Sequence, residues 1–248
     1  CLVEKPFAPS VKEAKELFDL AKKMNVVCYV NQNRRYDGDF LTLKKVYDSG
    51  VLGEIVEVES HYDYFRPNLL PEKENIGGLL FGLGVHNIDQ VVSLFGIPEE
   101  VRYDVRGINS DLMEDFFDVE FYYEKMKVSI KSSFFVHLDF PRFIMHGKKG
   151  SFLKPAPEHL SSIKRSEPIK SDFLPESEER WGTLSYVNDG GKTVTNTIQT
   201  EVTDYGKVYD DLSNIINHGA SYVVKEEEVL FVLKVLEEGR ESMRRRVL

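Results

Sequence analysis

The sequence predicts an α+β fold: an open, mostly antiparallel sheet with helices on one face, preceded by a short βαβ unit. Three observations predict it. Residues 1–30 read strand, helix, strand; beyond them strands follow strands across short turns; and the helical patterns gather toward the two ends of the chain. The expected division is 1–30, one βαβ unit, and 31–248, the α+β domain.

Cys1-Leu2-Val3 reads as a buried strand stopped by Pro6. Ser10 with Glu13 is a capping box, and Val11, Ala14, Leu17, Phe18, Ala21 and Met24 recur at helical spacing, so a helix runs from about Ser10 to Met24. Val26-Val27-Cys28-Tyr29-Val30 is apolar on both faces, as expected of a parallel strand covered by helices on each side. A helix from about Asp37 to Ser49 carries Phe40, Leu43 and Tyr47 on one stripe and ends at Gly50. Gly53 then opens a strand with Val56, Val58, Ser60, Tyr62 and Tyr64 on one face and Glu57, Glu59, His61 and Asp63 on the other, the alternation of a sheet with one wet side. A second helix, Gly78 to Phe95, is closed by Gly96 and Pro98. Strands follow at about 100–108, 115–123 and 127–136, with Phe117, Val119 and Phe121 facing Val128, Ile130 and Ser132 across a turn at Glu124-Lys125-Met126. A strand at Phe143 to His146 meets the turn Gly147-Lys148-Lys149-Gly150, and Asn188-Asp189-Gly190-Gly191 marks another hairpin. Lys154 to Gly182, rich in proline, serine and glutamate, is expected to be an exposed excursion; helices at about Lys207–Asn217 and Glu226–Arg246 finish the chain.

Composition excludes several partners. The 41 acidic and 32 basic residues leave a net charge of −9 with no basic block, so nothing would neutralise a row of phosphates, and neither nucleic acid nor an anionic membrane surface is expected. No apolar run approaches the roughly 18 residues of a membrane helix. Cys1 and Cys28 have no metal-site spacing, so neither a zinc cluster nor a disulfide scaffold is expected, and they fit a reducing, cytoplasmic setting. The chain opens on Cys1 inside what reads as a buried strand, and the expectation is that residues upstream of it are missing.

Three groups of residues can carry chemistry. Glu4-Lys5-Pro6 stands at the carboxyl end of the first strand, where open parallel sheets place ligands; Lys5 could exchange a proton or hold a substrate oxygen, or be an ordinary loop lysine. Four glycines, Gly77, Gly78, Gly82 and Gly84, lead into a helix that would otherwise exclude them, which suggests close approach of backbone or ligand; His86 and Asp89 follow on one helix face. His86 suits general base work, or it is a buried histidine satisfied by a carboxylate. Asn33-Arg34-Arg35-Tyr36 and His61-Tyr62-Asp63-Tyr64-Phe65-Arg66 would suit a hydroxylated or anionic small molecule, or form an ion-pair network between layers. No set of ligands stands at a metal-site spacing.

Glu4-Lys5-Pro6, Asn33-Arg34-Arg35-Tyr36, Gly50-Val51-Leu52-Gly53-Glu54-Ile55 and Gly84-Val85-His86-Asn87-Ile88-Asp89, in this order and at these separations, resemble the Gfo/Idh/MocA family of glucose-fructose oxidoreductase and inositol dehydrogenase relatives. The resemblance implies hydride transfer between a sugar or polyol hydroxyl carbon and NAD or NADP. It also implies an amino-terminal Rossmann domain of which this chain retains only the tail, roughly 90–120 residues being absent, and a homodimer or homotetramer joined through the open sheet. By the same resemblance Lys5 and His86 are the catalytic residues, with a cis bond from Lys5 to Pro6. Glu4, Lys5, Pro6, Asn33 and Arg34 are expected at the cofactor, and Arg35, Tyr36, His61, Arg66 and Asp89 at the substrate. One position departs: many inositol dehydrogenase-like members carry an aspartate four residues before the histidine, where this chain has Gly82. The competing function is a non-catalytic assembly module that associates through an exposed sheet face carrying Tyr62, Tyr64 and Tyr103.

Overall fold

The structure, a computed structural model, describes residues 1–70, 78–158 and 173–247. Gly77 and most of the proline-rich stretch, 159–172, lie outside the described residues. The chain opens with β1 (Leu2–Val3), α1 (Val11–Lys23) and β2 (Tyr29–Val30), and β1 pairs with β2 in parallel, Val3 opposite Val30. Ser10 caps α1 by accepting from the Glu13 N–H, and Glu13 returns a carboxylate to the Ser10 hydroxyl. This is the reciprocal cap that the spacing predicts.

A 3₁₀ turn (Asn33–Tyr36) leads to α2 (Gly38–Asp48) and β3 (Ile55–His61). A π-helical turn (Leu80–Gly84) runs directly into α3 (Val85–Phe95), which Gly96 ends with a positive φ of 79°. Then come β4 (Glu100–Arg106), β5 (Phe116–Tyr122), β6 (Lys127–Ser133), β7 (Phe143–Gly147), β8 (Gly150–Lys154), β9 (Gly182–Val187), β10 (Thr193–Ile198), α4 (Lys207–His218) and α5 (Glu226–Val247).

Strands β3 to β10 form one open sheet in the order β10-β9-β8-β7-β3-β6-β5-β4, antiparallel throughout except where β3 lies parallel to β6. The expected cross-strand register holds: Phe117 is opposite Ser132, Val119 opposite Ile130, and Phe121 opposite Val128. These side chains, all but sealed from water, form the floor on which α3 and α5 pack, while α2 covers β8. Such alternation arises because successive strand side chains point to opposite faces.

Several expectations need correction. The second strand is two residues long rather than five, and Val26 is half exposed. Leu17 and Met24, expected in the core stripe of α1, are exposed too; Ala14 and Phe18 make the buried contact. The β1–β2 ribbon is only two strands wide, yet Tyr29 and Val30 of β2 are buried. In β3 a register shift between Ile55 and Glu57 turns Val56 to solvent. At its other end His61 and Asp63, expected on the wet face, are buried, His61 against the Phe140 ring at 4.4 Å.

Of the expected exposed excursion, residues 173–179 are exposed apart from the half-buried Glu176, but its root is not: Lys154 is wholly buried, and its ammonium donates to Glu176 and to the Pro155 and Arg180 carbonyls. Nor do the tyrosines furnish a flat docking face, since Tyr62 is 1% exposed and the Tyr103 hydroxyl donates to Glu238 on α5.

Candidate active site

The site begins where β1 ends. Because the Asn31 N–H donates to the Val3 carbonyl, Glu4 and Asn31 lie side by side, and the Asn31 amide donates to the Glu4 carboxylate at 2.7 Å. The next bond, Lys5–Pro6, is cis. Lys5 Nζ donates to the Gly82 carbonyl at 2.9 Å, joining the β1 loop to the turn that carries His86. Partial burial lowers the Lys5 pKa, Arg34 lowers it further, and Glu4 opposes them.

Glycines shape the approach to His86. A Cβ on Gly78 would stand 2.2 Å from Glu114 Oε2, which accepts from the Gly78 N–H, and one on Gly84 would stand 2.9 Å from Leu80 Cδ1. The π turn therefore packs closely at both ends. His86 itself is 5% exposed and forms no hydrogen bond among the described residues. Its Nδ1 is sealed without a partner, which leaves Nε2 as the nitrogen that can meet a ligand. Burial holds the imidazole pKa well below its ordinary value, and Arg34, Lys5 and Arg142 press it in the same direction, so the ring is neutral at neutral pH.

Arg34 closes the site from the 3₁₀ turn. Its Nη1 donates to the Tyr62 hydroxyl at 2.9 Å and to Asp37 at 3.2 Å, with the guanidinium carbon 5.0 Å from the Tyr62 ring centroid. Asp37 also accepts from Tyr205; burial and the neighbouring Asp39 outweigh Arg34 and push its carboxyl up to about 6. Behind them Arg142 is buried between the Tyr62 and Phe143 rings. It donates to Ser60, the His61 carbonyl and Gln90, and pairs with Asp39 at 3.2 Å. Gln90 in turn donates to the Arg34 carbonyl, so one arginine ties β3 and α3 to the turn that holds Arg34.

Sequence reasoning missed Arg142 and Gln90, because a single arginine after Pro141 and a glutamine on a helix carry no spacing signal. Asp37 and Tyr62 adjoin motifs that were singled out.

The remaining expected residues fall into distinct places. Arg35 donates through Nε and Nη2 to both oxygens of Asp89, each at 2.7 Å, and also to Glu228 and the Val223 carbonyl. Arg35 and Asp89, expected at the substrate, thus lock to one another inside the fold as the interlayer ion pair. Tyr36 is likewise committed, sharing Asp211 with Tyr29. His61 is held between Glu59 and Asp63, and Arg66 is exposed over the Tyr64 ring. Asn33 and Pro6 are half-buried near Lys5 and Arg34 in sequence. A cavity of about 380 Å³ adjoins the site through Asp37 and Tyr62 and has Asp39, Glu176 and Thr200 in its walls, but neither Lys5 nor His86.

Among the described residues no group of three or more His, Cys, Asp or Glu side chains is arranged to hold a metal ion, and no helix is long and apolar enough to cross a membrane. The residues do fit the amide end of a nicotinamide. Asn31 Oδ1 and Gln32 Oε1, just beyond β2 and beside the β1 end, are buried acceptors without partners, the complement of a carboxamide N–H₂. Among the described residues no glycine-rich strand-to-helix turn is present to hold a pyrophosphate.

The fold is thus an open α+β sheet, with a lysine from the β1–β2 ribbon bonded to the turn that leads to an unpartnered, neutral histidine. The chain belongs to the Gfo/Idh/MocA oxidoreductase family: residues 44–247 match the model of its C-terminal alpha/beta domain. It is similar to the uncharacterized oxidoreductase YhhX of Escherichia coli (strain K12), 46% identical over 97% of this chain and 70% of that protein. The crystal structure of that probable oxidoreductase superposes with a TM-score of 0.87 over the same shares. An oxidoreductase from Bacillus cereus superposes with a TM-score of 0.85 at 39% identity, covering 96% of this chain and 69% of that one. The scyllo-inositol 2-dehydrogenase (NADP(+)) IolW of Bacillus subtilis is 30% identical over 97% of this chain and 69% of its own length.

Proposed function

We propose that the parent of this chain is an NAD(P)-dependent oxidoreductase acting on the CH–OH group of a sugar or polyol, and that this chain supplies its proton-handling residues, Lys5 and His86. The observation that carries the reading is the bond from Lys5 Nζ to the Gly82 carbonyl, one helical turn from a buried imidazole that has no protein partner. His86, neutral at the working pH, accepts the hydroxyl proton at Nε2 in oxidation and returns it in reduction. Lys5 directs a remaining ammonium proton at the same oxygen, and with Arg34 it stabilises the negative charge that develops there. A nicotinamide, when bound, supplies the hydride acceptor or donor.

Glu4, Pro6 and Asn33 flank the nicotinamide side in this reading, with Asn31 and Gln32 offering acceptors to its amide, while Arg34, backed by the buried Tyr62, faces the substrate. The likeness to an NADP-linked inositol dehydrogenase supports a polyhydroxylated substrate. Incubating the parent protein with NAD and NADP and a panel of hexoses and linear and cyclic polyols is the test. Reduced nicotinamide should accumulate with at least one member; its absence with every member, in both directions, would contradict the reading.

A further inference from the structure

We propose that the substrate of this site carries a carboxylate beside its hydroxyl groups, held between Lys5 Nζ and the unbonded edge of the Arg34 guanidinium in the space left open at Gly82. The inference rests on the oxidoreductase reading above and narrows its substrate class.

The first ground is the space itself. Packing demands glycine at 78 and 84, but a Cβ at Gly82 would meet nothing within 4 Å. Position 82 is exposed, and its carbonyl receives Lys5, so the open volume lies next to an ammonium group. The second ground is unspent donors. Lys5 uses one of its three protons, on Gly82, and Arg34 bonds only through Nη1, to Tyr62 and Asp37. Among the described residues its Nε and Nη2 edge has no acceptor. A guanidinium edge and an ammonium together present several N–H donors, the arrangement that a carboxylate satisfies and a neutral polyol leaves charged and unpaired.

The third ground is the sign of the field. Every charge that acts appreciably on His86 is positive, from Arg34, Lys5 and Arg142. Three carboxylates stand beside these cations, none of them acting appreciably on the ring: Glu4 accepts from Asn31, Asp37 from Arg34 and Tyr205, and Asp39 pairs with Arg142. Within a chain of net charge −9, the charges that act on this ring are thus all positive, which favours an anion beside it.

Isothermal titration of the parent protein with gluconate, with sorbitol as the neutral analogue and with sorbitol 6-phosphate tests the proposal. Gluconate should bind at least about tenfold more tightly than sorbitol. Gly82→Asp places a competing carboxylate in the open space and should remove that preference; Gly82→Asn, of the same size and uncharged, should retain it. Equal affinities for gluconate and sorbitol, or equal losses in the two variants, would overturn the proposal. Tighter binding of sorbitol 6-phosphate than of gluconate would overturn the carboxylate in favour of a phosphate. Turnover of sorbitol but not of gluconate would overturn this inference and leave the oxidoreductase reading standing. Gluconate binding that Gly82→Asp abolishes, with no nicotinamide-linked turnover of any hydroxyl compound, would do the reverse.

Discussion

At the scale of single residues, two buried groups near the site titrate in opposite directions on folding. In the unfolded chain the His86 imidazole titrates near its ordinary 6.5, and in the fold well below it. As the pH falls below about 6.5, the unfolded state therefore binds a proton that the folded state refuses, and stability is lost toward the folded pKa. Asp37 has the other sign: its folded value is raised to about 6 from 3.8, so below about pH 6 the folded state takes up the extra proton and gains stability. His86→Gln deletes the first effect and keeps the second. Urea midpoints measured from pH 7 down to about 5 should fall less for the variant than for the wild type; parallel curves would show that His86 is not held neutral by the fold.

At the scale of elements, the glycines separate packing from chemistry. A Cβ on Gly38, at the start of α2, would stand 1.9 Å from the Glu201 carbonyl oxygen, so the backbone of one segment must move. Gly38→Ala should cost about 1–3 kcal/mol or more, as overpacking does. Gly82→Ala makes the same chemical change where a Cβ meets nothing, in helical backbone, and should be neutral or stabilising by up to about 1 kcal/mol. Denaturant unfolding of the pair checks both signs. The elements themselves were legible where local rules suffice: the Ser10 cap, the Asn188–Gly191 hairpin and the pairing of β5 with β6 follow from spacing alone. The burial of His61 and Lys154 was not, because each is covered by a segment distant in sequence, Phe140 in one case and Glu176 with Arg180 in the other. The π turn also escaped, since glycines announce close approach but not which backbone geometry will accommodate it.

At the scale of the whole molecule, the site lies where a two-stranded parallel ribbon meets the helical layer of an eight-stranded sheet, and the fold brings Lys5 to a carbonyl 77 residues away. The motifs marked Lys5, His86 and Arg34 in advance because they stand at strand ends and helix starts. They set Arg34 at the cofactor and Arg35 at the substrate; the 3₁₀ turn sends these adjacent residues to different partners, Arg34 toward Tyr62 and Arg35 into the ion pair with Asp89. The fold also predicts what this chain does alone. With no phosphate-holding turn among its described residues, the 248-residue chain, folded by circular dichroism, should not bind NADH or NADPH below about millimolar concentration in a fluorescence titration. Tight binding would move the cofactor site to the glycines around Gly82. The central claim is that His86 takes the hydroxyl proton. Turnover of the parent protein and its His86→Ala variant, on whichever hydroxyl substrate it accepts, tests this most directly: the rate should fall at least about 100-fold with the fold intact, and an unchanged rate would remove His86 from the chemistry.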